Sequence, residues 1–236
     1  MSGWPKWIVG AVLLLIAAFV SLVYGVYWQG ASELPRELPR IEHHYPEDVH
    51  AIYWVSLGER GPMRVERLDP LKWCWWFYQE VSRDDVARRP SGSHTLLSIA
   101  ARMLVFESDK PARSANRLAA EIAAMIRLSN EWSPEQIADY SLDRAWFGRE
   151  ARGLRAAAPA YFGVSADQLT RAETIALMAL MRGPSYYDPT RNRERFDQRY
   201  AYLAGQLGID AAHIDPARDL ARLTAHSPAQ KVLPSP

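Results

Sequence analysis

Cysteine is almost missing from this chain: Cys74 is the only one in 236 residues. A single thiol excludes a disulfide framework and any metal site built from cysteines. An excess of one charge sign is missing as well. With 28 Lys and Arg against 27 Asp and Glu, the formal net charge is +1. That balance lacks the basic footprint of bulk nucleic-acid binding, so nucleic acid is not expected as a partner. No pair of histidines has the spacing of a zinc-protease helix. His43 and His44 are adjacent and lie in a charged stretch bounded by prolines, which reads as a solvated loop. There is no internal repeat and no low-complexity block. The residues themselves point to no metal site and require no cofactor.

What is present begins with a long apolar run. WIVGAVLLLIAAFVSLVYGVYW, from Trp7 to Trp28, carries no charge and is long enough to cross a bilayer as a helix. Trp4 and Trp7 flank one end, and Tyr24, Tyr27 and Trp28 the other, as in the aromatic belts of membrane spans. Lys6 and the N-terminal amine favour an N-terminus on the cytoplasmic side, with the body outside. A cleaved signal peptide is the alternative, but the run is longer than a usual signal core and no A-x-A site follows. The expected organisation is a cytoplasmic tip and span over 1–28, a linker over 29–45 with Pro35 and Pro39, a folded body over 46–223 and a disordered tail over 224–236. The short linker should hold the body close to the membrane.

The body reads as mainly α. Val49–Leu57 is apolar and fits either a helix or a short strand. LDPLKWCWWFYQEVSRDDV has Asp69 as N-cap and Pro70 at the first helical position. Five aromatics between Trp73 and Tyr78 cannot all face one core stripe, so this helix is expected to enter the membrane surface in part. Helices are also expected from Ser91 to Phe106 and through SANRLAAEIAAMIRLSNEW with Ser114 as cap. Another should start at Ser133-Pro134 and stop at Gly148, and a short one should end at Gly163. Next comes a helix with the capping box Thr170 to Glu173, stopped at Gly183, and last RERFDQRYAYLAGQLG. The Arg-rich run 191–199 reads as a solvated helix face.

The segment RRPSGSHTLLSIAARMLVF poses the chemical question. Its Ser-Gly-Ser turn before a helix is suited to an anion, because the first N–H groups of a helix are unpaired. The helix that follows is nearly all apolar. Farther on, Ser133, Ile137, Leu142, Phe147-Gly148, Gly153, Ala156-Ala157, Tyr161-Phe162-Gly163, Leu169-Thr170, Ala172-Glu173, Pro184-Ser185 and Asp188-Pro189 follow one another in a recognisable order. Over about seventy residues this pattern resembles glycosyltransferase family 51, the peptidoglycan glycosyltransferases of penicillin-binding proteins and monofunctional transglycosylases. One span and a body without room for a transpeptidase look like the monofunctional type. The resemblance implies a lysozyme-like fold with a head lobe and a jaw lobe at the membrane. It also implies the bacterial cytoplasmic membrane, with the body on the periplasmic face. The implied ligands are a lipid-linked peptidoglycan precursor or glycan strand, with other cell-wall synthesis proteins as further partners. The chemistry is attack of a sugar hydroxyl, activated by a Glu base, with loss of a lipid pyrophosphate helped by cations and a divalent metal.

The chemical motifs depart from the family. In the first, E-D-x-x-F-x-x-H-x-G-x-D, alignment from Asp69 puts Gly58 at the catalytic glutamate, and glycine has no proton acceptor. Glu59 is one residue away and could serve only if the backbone shifts with it; Glu66 is weaker. In the second, G-G-S-T-I-T-Q-Q-L-x-K-N, Gly92 and Ser93 remain. Leu97 and Ser98 replace the glutamines, Ala101 replaces the lysine, and Arg102 replaces the asparagine. In the third, R-K-x-x-E, Arg117 and Glu121 remain and Leu118 replaces the lysine. The site set is therefore Glu121 and, conditionally, Glu59 for catalysis, with Gly92, Ser93, Arg102 and Arg117 for substrate. Each has a plainer reading: Arg117 and Glu121 as an i,i+4 surface pair, Ser93 as a helix cap. Losses in all three motifs favour an inactive or much weakened module that binds or scaffolds. An active lipid II polymerase with a relocated base is the alternative. A hydrolase using Glu121 lacks a motif-placed second carboxylate.

Overall fold

The computed structural model describes residues 6–82, 91–107 and 114–224. These are mostly helical and form two compact units. The first comprises the described residues within 1–40 and 65–134; the second comprises those within 41–64 and 135–236. The expected disordered tail lies outside the described residues except for Thr224.

In the first unit, the apolar run forms α1, Lys6–Ala31. It passes Trp28 by almost a turn, because Gln29, Gly30 and Ala31 still fit the helix. Helix α3, Pro70–Val81, starts as its sequence dictates: the Asp69 carboxylate accepts from the amides of Leu71 and Lys72, both at 2.9 Å. Helix α4 spans Gly92–Glu107 and α5 spans Ser114–Glu131. The core is the α4–α5 contact, where Leu96, Leu97, Ala100, Ala101 and Leu104 meet Ala120, Ala123, Ala124 and Leu128, all nearly or fully buried. A clip fixes the chain entering α3. Ser129 Oγ accepts from the Leu68 amide at 2.9 Å, and Asn130 Nδ2 donates to the Leu68 carbonyl at 2.6 Å.

In the second unit, the ambiguous Val49–Leu57 stretch is helical, as α2, Glu47–Ser56. Helix α6 runs Pro134–Arg144, α7 Leu154–Phe162, α8 Arg171–Met181, α9 Arg193–Gln206 and α10 Pro216–Asp219. Helix α8 is the centre: Ile175 through Leu180 are at most 1% exposed, and α2, α7 and α9 surround it. Its capping box is complete, with the Glu173 amide donating to Thr170 Oγ1 at 3.3 Å and the Thr170 amide to Glu173 Oε2 at 2.8 Å. Glu173 does more than cap. Its buried carboxylate also accepts from Arg222 at 2.7 and 2.5 Å, which ties the segment after α10 to α8.

The expected stop of α6 at Gly148 is corrected. The helix ends at Arg144, and Trp146–Gly148 pairs antiparallel with Ala151–Arg152 as strands β1 and β2. The segment after Arg144 is committed to that pairing: the Ala145 carbonyl accepts from the Gly153 amide at 2.8 Å, and the turn between the strands is left-handed. Gly148, Arg149 and Glu150 take φ of 84°, 50° and 57°, and the left-handed region is incompatible with a continuing helix. Tyr161 braces the hairpin by donating to the Phe147 carbonyl at 2.7 Å. Burial pushes this phenol up to about 12.

Candidate functional site

The third motif lies on α5, one turn apart. Arg117 Nε donates to Glu121 Oε1 at 3.1 Å, with the two side chains 51% and 22% exposed. This is the helix-surface pair that the spacing permits, and such pairs contribute about 0.3–0.5 kcal/mol. The family's lysine position is Leu118, an exposed apolar side chain.

The second motif opens α4. Gly92 is buried and Ser93 half-buried. The polar groups of this turn bond to one another. Ser91 Oγ lies 3.1 Å from Ser93 Oγ and 2.9 Å from His94 Nδ1, and Thr95 Oγ1 donates to the Ser91 carbonyl at 3.1 Å. The His94 ring lies flat on Trp76 of α3, with centroids 3.6 Å apart and planes 8° apart. Its Nε2 is buried without a hydrogen-bond partner among the described residues. Burial lowers the imidazole to about 4, so it is neutral at pH 7 and brings no positive charge to an anion. Farther along, Leu97 and Ala101 occupy the family's glutamine and lysine positions and are 1% and 0% exposed. Arg102 is exposed, and its Nη2 donates to Ser98 Oγ at 3.0 Å.

Gly92, Ser93, Arg102, Arg117 and Glu121 all belong to the first unit; Glu59 belongs to the second. Glu59 follows α2, is half-buried, and donates its amide to the Trp54 carbonyl at 3.4 Å. Gly58 before it has φ of 98°. A Cβ built there meets nothing within 4 Å, so space for a side chain exists, but the backbone is one that L-residues rarely adopt.

Sequence reasoning missed two arrangements. One is the His94–Trp76 stack. The other adds to the loop reading of His43 and His44: both lie in a loop, with side chains 37% and 73% exposed, yet they reach two buried aspartates. Asp139 of α6, 2% exposed, accepts from His44 Nδ1 at 2.9 Å, His50 Nε2 at 2.6 Å and the Tyr45 amide at 3.1 Å. Asp143, one turn on, faces His43 Nδ1 at 3.2 Å and accepts from the Tyr45 hydroxyl at 2.6 Å. Burial works against the Asp139 carboxylate, but the bonds from His50, Tyr45 and His44 outweigh it and hold the group below its ordinary value. The available signal was two aspartates at i,i+4 on one helix face. Among the described residues, no group of three His, Cys, Asp or Glu side chains is placed to hold a metal ion.

The mainly helical domain fits the class that the ordered motifs imply, the lysozyme-like transglycosylase domain. The family model described as transglycosylase matches residues 75–208, and the chain belongs to that family, glycosyltransferase family 51. It is 26% identical over 209 residues, 80% of its length, to penicillin-binding protein 2D of Bacillus subtilis. Over 87 residues, 37% of the chain, it is 38% identical to penicillin-binding protein 1A of Mycobacterium tuberculosis. Over 123 residues, 52% of the chain, it is 31% identical to penicillin-binding protein 1A of Rickettsia felis. It spans 30%, 11% and 15% of those relatives' own lengths. The protein therefore carries a transglycosylase domain of penicillin-binding-protein type, the type tied to peptidoglycan and cell-wall synthesis.

Proposed function

We propose that this protein is a membrane-seated transglycosylase-like module of cell-wall synthesis, with little or no polymerase activity, acting by binding or scaffolding. It would sit on the periplasmic face of the cytoplasmic membrane, with residues 1–28 as tip and span, 29–45 as linker and 46–223 as the module. Its ligand class would be a lipid-linked peptidoglycan precursor or glycan strand, and its partners other wall-synthesis proteins. The retained Gly92, Ser93 and Arg117, with Arg102 in place of the asparagine, would contact the ligand, with Glu121 at the old reaction centre.

The observation that carries this reading is the burial of Leu97 and Ala101. The positions where the family resemblance puts a glutamine and a lysine are core positions here, so no group there can meet a pyrophosphate. The turn ahead of them is filled by the neutral His94 on Trp76. The position of the base is Gly58. Loss of a general base typically costs about 10²–10⁴ in rate, and loss of electrostatic donors adds to that. Two features support the membrane seat. One is α1, long and apolar enough to span a bilayer. The other is α3, where Trp75, Phe77, Tyr78 and Val81 are 49–67% exposed.

The test is polymerisation of labelled lipid II by the full-length protein in detergent, beside Glu59→Gln and Glu121→Gln. The expected result is no glycan chains under conditions where an active family member makes them. Chains that disappear in either variant would establish the second reading, an active polymerase with a relocated base, which the retained Arg117–Glu121 pair favours.

A further inference from the structure

The N-terminal helix is longer than a membrane needs. At about 1.5 Å per residue, the 26 residues of α1 reach about 39 Å, roughly 9 Å more than a hydrocarbon core. The surplus is at the module end. Gly30 is the one buried residue of α1, and it lies against the backbone of α5. A Cβ added there would overlap the Ala119 carbonyl, so only glycine allows this approach. Beside it, Gln29 Nε2 donates to Asn116 Oδ1 at 3.1 Å. The chain does not loosen after the helix. Leu34 is buried, and the Arg127 guanidinium of α5 donates to the carbonyls of Pro35 and, at 2.7 Å, Arg36. Arg127 is itself held by Glu131 at 2.7 Å. Thus α1 and the strap behind it grip α5 at both ends, from Asn116 to Arg127. Arg117 and Glu121 lie between.

We propose that α1 is a rigid part of the first unit, not a flexible tether, and that the bilayer sets the orientation of α5 through the Gly30–Ala119 contact and the 29–36 strap. A tilt or depth change of the span would then be transmitted directly to the turn carrying Arg117 and Glu121. The inference rests on the reading of α1 as a membrane span. The contact itself is stiff: Gly30 meets the Ala119 backbone with no side chain between them, so few rotamers can absorb a displacement.

The test uses full-length protein with Cys74→Ser in lipid vesicles, carrying Gln29→Cys and Asn116→Cys. A short bismaleimide should join the pair in most molecules. Adding Gly30→Leu, which keeps the helix apolar, should lower the yield about tenfold while the protein still sediments with the vesicles. Gly30→Ala should fall between. Little cross-linking in vesicle-bound protein, or a yield indifferent to Gly30→Leu, would overturn the coupling and leave the membrane seat standing. Protein that stays in solution when vesicles are pelleted would overturn the membrane reading, and the coupling with it.

Discussion

Gly58 and Ala101 test the reading at single side chains. Restoring the family's glutamate as Gly58→Glu should not restore polymerisation. It should also destabilise the protein by about 1–2 kcal/mol, because a side chain at φ of 98° is strained even where space is open. Denaturant unfolding and the lipid II assay read the two effects separately. Ala101→Lys should be far worse, costing about 3–5 kcal/mol, since it overfills a position with no exposure and places an ammonium there without a partner. A folded Ala101→Lys variant of unchanged stability would show that the face of α4 is open, and the scaffold reading would lose its main support. Neither effect could be anticipated from the motif losses alone. The sequence shows which residue replaces which; only the structure shows Leu97 and Ala101 turned into core and Gly58 in the left-handed region.

Helices and their ends carry the next predictions. Asp69→Ala removes the acceptor for two amides at the start of α3 and should cost about 1 kcal/mol, read as a lower denaturation midpoint. Glu173 predicts a pH dependence. Burial raises its carboxyl, but the bonds from Arg222 and Thr170 outweigh that and hold it below the ordinary glutamate value of 4.5. A depressed folded pKa gives stability that is present above 4.5 and is lost as pH falls through the folded value. Acidification below that point should therefore weaken the wild type more than Glu173→Gln, in urea titrations from pH 7 to pH 3. Helix starts of this kind were legible because they depend on neighbours in sequence: Asp69-Pro70 and Thr170 to Glu173 both form as read. The hairpin was not, because two of its three positive φ angles fall on Arg149 and Glu150, residues with no such preference. The Asp139 cluster was not either. Its histidines come from 89 and 95 residues away, and no local pattern encodes that pairing.

For the molecule as a whole, family and fold class were legible, since the ordered run from Ser133 to Pro189 is mostly turn, cap and core. Its glycines and buried residues serve the fold whatever the chemistry; Gly153, for instance, has φ of 85° and packs against the Asp143 carbonyl. The candidate site was legible only as a set of losses. Where those positions went depended on packing between α3, α4 and α5, as in the stacking of His94 on Trp76.

The burial of Leu97 and Ala101 bears on the history of this chain. In an active relative, replacing a groove-facing polar residue by an apolar one sacrifices function and leaves the fold intact. Once neighbours have closed around the new side chains, the old residues no longer fit, and each step back passes through a protein less able to fold. With a left-handed Gly58 requiring its loop to change first, the way back needs several substitutions at once. If the proposed loss of polymerisation holds, descent from an active family member runs in one direction: selection acting on single changes can refine binding, but it has no short route back to the chemistry.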